Sequence, residues 1–243
     1  MLTLSQVKIV SGSEFPIHLA LGHEFVSSIV SILSNKRDVF SLTHRNSHFN
    51  FALSDTSEIQ ALLDEALALP TGINSGNYGC MTMRNLNAGV IYSSSILGNN
   101  IPVGLGISSS LSSNRVAWIQ TGDGAIEEGV FYESLVFSKA RSLPAVFILE
   151  DNNWSLGTSK QERRYAIDYS RLCKSLGVRY FYISSSYPLL LQAFVFALAR
   201  SICILFNTPS LVHVDLLTIG APPSANGRAY VSYHHGPLRH HTN

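Results

Sequence analysis

Charge is what this chain has least of. Only 14% of its 243 residues are charged and the formal net charge is +1, where about a quarter charged is usual for a globular domain. So balanced a chain has no field to hold nucleic acid or an anionic membrane surface. Cysteine is scarce too. Cys80, Cys173 and Cys203 are odd in number and far apart, which argues against a disulfide framework and a thiolate zinc site and suits a reducing cytoplasm. No basic start leads into an apolar run and a small-residue cleavage site, so secretion is not expected. The most apolar stretch, residues 189–206, contains Gln192, Arg200 and Ser201 and reads as too short and too interrupted to span a bilayer. With so few charges, either the buried core is large or part of the outside is covered by another subunit; the second fits better.

What is present is an alternation of helical and strand patterns. Helical spacing runs over 16–33, with Leu21, Phe25, Ile29 and Leu33 on one face, and again over 55–69 after Ser54 as a cap. A short strand, 38–43, ends in the polar run His44 to His48. Residues 72–89, rich in Gly and Asn, read as loop, and loops this long in compact domains are usually functional. Two uniformly apolar strands, 116–120 and 145–149, flank a helix over 127–140. That is a right-handed βαβ crossover with both strands in a buried parallel sheet. Helix 168–176, strand 178–183, helix 188–205 and strand 211–217 complete an α/β, doubly wound, mainly parallel sheet with helices on both faces. No repeat or linker interrupts 1–243, so one domain is expected.

The chemistry concentrates where the two apolar strands end. Asp123 follows the first, between Gly122 and Gly124, in the crevice where open α/β sheets bind ligands. The glycines allow close approach of backbone, and the N-terminus of the following helix suits a phosphate. A carboxylate there would repel phosphate unless a cation lay between, and Mg²⁺ takes one or two protein oxygens plus phosphate and water. About thirty residues later the second strand ends in Glu150-Asp151-Asn152-Asn153-Trp154. Adjacent parallel strands would bring the Asn152 amide oxygen beside Asp123, with the Trp154 carbonyl as a third donor. Gly-Asp-Gly alone is commonly no more than a tight turn; paired with Asn-Asn at the next strand end it reads as a site. A Gly-x-Gly-x-x-Gly turn after the first strand is lacking, which sets a nicotinamide-dinucleotide site aside.

The segment GDGAIEEGVFYESLVFSKARSLPAVFILEDNNWSLGTS resembles the thiamine diphosphate (ThDP) motif, and most closely that of the alpha subunits of 2-oxo acid dehydrogenase first components. IHLALGHEFVSSIVSIL with DVFSLTHR, and SSSILGNNIPVGLGIS, resemble further parts of that family, so the likeness covers residues 17 to about 160. It implies that Asp123, Asn152 and the Trp154 carbonyl bind Mg²⁺. Gly122 would shape the turn, and Gly124 and Ala125 would meet the diphosphate through backbone N–H groups. His44 and Arg45 would hold it from the other side, and Ser95 and Leu97 would meet the aminopyrimidine through backbone atoms.

The chain departs from the family in places. Cys80-Met81-Thr82 stands where a Ser-Met-His triplet is usual, and His48 lies one position from an expected histidine. The end, IGAPPSANGRAYVSYHHGPL, is similar instead to the close of the transketolase diphosphate-binding domain, which nominates His235, with His234 beside it, as a proton donor or shuttle. The resemblance implies a 2-oxo acid decarboxylated and its acyl unit passed on, to a lipoyl acyltransferase among other acceptors. Its alternatives are ketol or acyl transfer from a ketose to an aldehyde, and a non-catalytic assembly subunit keeping the fold. One α/β domain leaves no room for a pyrimidine-binding domain. A separate beta-type chain is therefore expected, in a two-plus-two heterotetramer.

Overall fold

The computed structural model describes residues 20, 22–155 and 158–216. Six parallel strands form one sheet in the order β2-β1-β3-β4-β8-β7, where β1 is Val39–Thr43, β2 Val90–Ser94, β3 Ala117–Gly122, β4 Ala145–Asp151, β7 Arg179–Ile183 and β8 Ser210–Asp215. The doubly wound fold expected from the sequence is observed. The chain leaves β1 in one direction to β2 and in the other to β3, so the topological switch point lies between β1 and β3. Ligands bind at that point in sheets of this kind.

Strand β4 explains the layering. Val146 and Ile148 face one way, into a core with Val26 and Val30 of helix α1 (Glu24–Leu33), Phe49 of α2 (Ser47–Leu53) and Phe196 and Cys203 of α9 (Leu189–Phe206). Ala145, Phe147 and Leu149 face the other way, against α5 (Asn100–Ser108), α6 (Gly129–Ala140) and α8 (Tyr169–Leu176). Both faces are covered, so β4 is buried along its whole length. The three cysteines are buried, and none is in a disulfide.

Several elements differ from the sequence-based expectation. Helix α1 is described from Glu24, whose carboxylate accepts the Gly22 N–H at 2.7 Å. The helix expected over 55–69 is shorter: a 3₁₀ turn (Thr56–Glu58) precedes α3 (Ile59–Ala66). Ser54 does not cap it, because its hydroxyl donates backwards to the Asn50 carbonyl (2.6 Å). The loop at 72–89 contains a short helix, α4 (Gly79–Thr82). Three elements carried no periodic signal: α2, strand β2, and α5 with its Pro102, Gly104 and Gly106. Gly104 is needed for packing, since a Cβ there would lie 2.8 Å from Ile119 Cγ1 and 3.0 Å from Ser41 Cβ.

Helix α9 corrects another expectation. It is long and apolar enough by length and composition to cross a bilayer, although residues 189–206 read as too short. Two of its interrupting polar residues, Gln192 and Arg200, turn inward. Gln192 donates to the Tyr187 carbonyl (2.8 Å), and Arg200 donates to the buried carboxylate of Asp38 through Nε (2.9 Å) and Nη2 (3.1 Å). Buried Gln192, Phe196, Ala199 and Cys203 form its sheet-facing stripe.

Candidate functional site

The carboxyl ends of β1, β3 and β4 open into one cavity of about 240 Å³. The register pairs Gly122 with Glu150, so Asp123 and Asn152 emerge from neighbouring strand ends. Both line the cavity, as do Gly122, Gly124, Ala125 and Trp154, with His44 and Arg45 following β1 and Ser95 and Leu97 following β2. Ten of the residues proposed from the sequence therefore share one cleft. His235 lies outside the described residues, as does His234. His48 is described and does not line the cleft. It is buried in α2 against the Phe49 ring, at 5.1 Å between centroids.

One expectation about this turn is corrected. The helix expected over 127–140 does not start at Glu127. Ala125–Glu127 is a 3₁₀ turn, Glu128 is extended, and α6 begins at Gly129. The backbone that faces the cleft is thus a tight turn rather than the first turn of a long helix. Gly124 fits it closely, because a Cβ there would lie 2.5 Å from the Ser155 hydroxyl oxygen.

The electrostatics come from three buried carboxylates, Asp123, Glu150 and Asp151. Asp123 is 3% exposed. Burial, with the charge of Asp151, pushes its pKa up to about 6, against the opposing pull of Arg163. Arg163 Nη2 donates to Asp123 Oδ2 at 2.5 Å. Asp151 accepts from Lys160 Nζ (2.6 Å) and pairs with His213 Nε2 (3.1 Å). Its burial works to raise its pKa, but these two contacts win and hold the acid below the usual carboxylate range.

Glu150 is buried beneath the cleft, with Oε2 held by His23 Nδ1 (2.9 Å) and Asn46 Nδ2 (3.1 Å). Burial opposes its ionisation, yet the His23 contact and the neighbouring imidazoles hold its pKa below the ordinary value. Its other oxygen, Glu150 Oε1, and Thr121 Oγ1 are buried without a hydrogen-bond partner among the described residues, and both residues line the cavity. Buried polar atoms of this kind point to an absent ligand or water. Burial lowers the pKa of Arg45, with Asp123 and Glu150 offsetting part of the shift.

Sequence reasoning missed His23, Thr43, Met81, Thr121, Glu150 and Ser155, which also line the cleft, and Arg163, which reaches its carboxylate. Glu150 and Ser155 flank the Asp-Asn-Asn-Trp run and were accessible to the same strand-end argument. Arg163 carried no signal. It arrives on a short helix, α7 (Lys160–Arg163), after the β5–β6 hairpin (Trp154–Ser155 with Thr158–Ser159).

The donor set suits a hard divalent cation: one carboxylate and one amide oxygen, with further positions left for phosphate and water. Asn152 Oδ1 accepts the Trp154 N–H at 3.1 Å. The cleft thus combines hard oxygen donors, a glycine turn open to close approach and the guanidinium of Arg45.

The comparisons agree with this geometry. The family model described as "Dehydrogenase E1 component" matches residues 6–218. The chain is 29% identical over 167 residues to the "Pyruvate dehydrogenase E1 component subunit alpha" of Rickettsia typhi, covering 68% of this chain and 51% of that protein. It is 29% identical over 155 residues to the mitochondrial counterpart of Chaetomium thermophilum, covering 63% and 37%. A solved transketolase from Pichia stipitis superposes with a TM-score of 0.61 at 16% identity, covering 89% of this chain and 37% of that one; at that identity the likeness concerns the fold. The chain spans about half the length of the Rickettsia relative. By the family match, which takes in the whole described sheet and cleft, this chain belongs to the dehydrogenase E1 component family.

Proposed function

We propose that this chain is the diphosphate-binding, alpha-type subunit of a ThDP- and Mg²⁺-dependent 2-oxo acid dehydrogenase, with 1–243 acting as one diphosphate-binding domain. The observation that carries the reading is the shared cleft: Asp123 and Asn152 at adjacent strand ends, lining one cavity of about 240 Å³ with Gly124, Ala125, His44 and Arg45. In this reading Asp123, Asn152 and the Trp154 carbonyl hold Mg²⁺, and the Gly124 and Ala125 N–H groups meet the diphosphate. Arg45 supplies a planar fork suited to phosphate oxygens, with His44 beside it. Ser95 and Leu97 meet the aminopyrimidine through backbone atoms.

The cofactor, when bound, would supply a nucleophilic carbon and an electron sink for the reaction. The chain's own residues bind and orient. The turn at Gly124 admits the diphosphate backbone-close, Arg45 opposes its charge, and Glu150, fixed by His23 and Asn46, keeps a carboxylate beneath the cleft. No second α/β unit is found among the described residues to cover the pyrimidine end. A beta-type pyrimidine-binding chain, in a two-plus-two heterotetramer with the cofactor at the interface, is part of the proposal, supported by the similarity to E1 component alpha subunits. So are a small 2-oxo acid substrate, a lipoyl acyltransferase as acceptor and a cytoplasmic setting.

The test is to purify the chain with a co-expressed pyrimidine-binding partner and measure CO₂ release from a panel of 2-oxo acids. Release that requires both chains, ThDP and Mg²⁺ supports the reading. Ketol transfer from ketose phosphates without CO₂ release would move the chain to the transketolase reaction. Turnover by the isolated chain would refute the need for a partner.

A further inference from the structure

We propose that Arg163 is a diphosphate-binding cation of this cleft, one that neutralises Asp123 in the empty site and turns to the phosphate oxygens once a divalent ion takes Asp123. The proposal rests on the reading of Asp123 as a metal ligand and concerns a residue outside the Gly-Asp-Gly and Asn-Asn motifs.

The geometry gives Arg163 two attachments of different kinds. Nη2 donates to Asp123 Oδ2 at 2.5 Å, while Nη1 donates to Glu127. Glu127 Oε1 is held from its other side by Arg164 Nε at 3.0 Å, and Arg164 Nη2 is fixed by the Tyr169 hydroxyl at 2.7 Å. Glu127 is therefore an anchored pivot. Releasing Asp123 leaves the guanidinium tethered at the cleft rather than free in solvent. Its direction is set as well: a Cβ on Gly124 would lie 3.5 Å from Arg163 Nη1, so the guanidinium stands beside the turn where a diphosphate would approach.

Charge then dictates the exchange. Asp123 and Asp151 are both buried, and α7 with its flanks delivers one cation to each, Arg163 and Lys160. A bare divalent ion entering at Asp123 meets the guanidinium as a like charge and competes with it for the same carboxylate. A divalent ion arriving with a diphosphate brings several acceptor oxygens, and the same guanidinium becomes attractive to the complex. One side chain thus opposes the metal alone and favours the metal–diphosphate pair.

The experiment uses the full chain, with Mn²⁺ and the Mn²⁺–pyrophosphate complex as probes, titrated by electron paramagnetic resonance. Arg163→Gln is expected to bind Mn²⁺ alone more tightly and Mn²⁺–pyrophosphate more weakly. Each change should be on the order of tenfold, the scale of a hydrogen bond to a charged group. Arg163→Lys, which keeps the charge but not the fork, should fall between the two and guards against a folding defect in the first variant. A shift of both affinities in one direction, or of neither, overturns the proposal. If Asp123→Asn leaves Mn²⁺–pyrophosphate binding at the wild-type level, or if the wild type binds neither probe, the metal-ligand reading itself fails.

Discussion

Glu65 offers the sharpest test of how the long Gly- and Asn-rich loop is held. The side chain is fully buried at the end of α3, and its carboxylate accepts four backbone N–H groups. Asn74 and Gly76 donate to Oε2 at 2.8 Å each, and Tyr78 and Gly79 donate to Oε1 at 2.8 and 3.1 Å. The loop so wound leads through α4 to Met81, which lines the cleft. Glu65→Gln keeps the shape but replaces one acceptor oxygen with an NH₂ group. Whichever way the amide turns, one pair of N–H donors faces another donor. Leaving a buried donor unsatisfied costs about 1–3 kcal/mol, so two of them, with the loss of charge assistance on the rest, cost about 4 kcal/mol. For a chain of this size that corresponds to a fall in Tm of roughly 8–16 °C. Thermal unfolding measures the fall, and native-state hydrogen exchange at the amides of residues 74, 76, 78 and 79 reports the local release. A Tm within about 2 °C of wild type, with unchanged exchange at those amides, would refute the account of the carboxylate as the loop's anchor.

Three further outcomes are expected. Gly124→Ala drives a Cβ against Ser155 and should cost about 1–3 kcal/mol of stability, while weakening pyrophosphate binding more than Gly129→Ala, where no atom lies within 4 Å; equal binding by the two variants counts against a backbone-close diphosphate. Arg200→Met leaves the 1%-exposed Asp38 with Trp118 Nε1 and the Val116 and Asn35 N–H groups but without its guanidinium. Urea titration should show a loss of about 3–5 kcal/mol, partly recovered by adding Asp38→Asn. Burial pushes the pKa of His48 down to about 4 from 6.5, with Glu150 offsetting part of the shift. The unfolded chain therefore takes up a proton that the folded chain refuses, and the His48 contribution to stability falls as pH drops from 6.5 towards 4, by about 1.4 kcal/mol per unit. Asp123, with its raised pKa of about 6, acts in the opposite sense, so the check is the difference between wild type and His48→Met across that window. Parallel stability–pH curves would show that the buried imidazole does not refuse the proton.

The parts of the fold legible in the sequence were those that repeat. The uniformly apolar runs of β3 and β4 are buried on both faces, so each position reports its own environment, and their parallel pairing follows from the crossover between them. Elements that bury short or polar segments were not legible. Helix α2 buries Ser47, His48 and Asn50 as well as Phe49, and α5 contains a proline and two glycines, one of which, Gly104, lets it lie close on β1 and β3. Neither has an apolar period to detect. The loop at 72–89 showed no period for a related reason: one carboxylate outside it, Glu65, satisfies its backbone.

The site divides along the same line. Asp123, Gly124 and Asn152 were determined by sequence alone, because a strand end is a place that local pattern can locate and adjacent parallel strands must bring their ends together. His23, Glu150 and Arg163 were decided only in three dimensions. His23 reaches Glu150 from the start of α1, 127 positions away, and Arg163 reaches Asp123 from 40 positions away. Contacts across such separations follow from how helices close over a sheet, and no spacing within a segment encodes them. The sequence by itself located Asp123 and Asn152 at neighbouring strand ends; the tertiary structure alone determined which charges surround them.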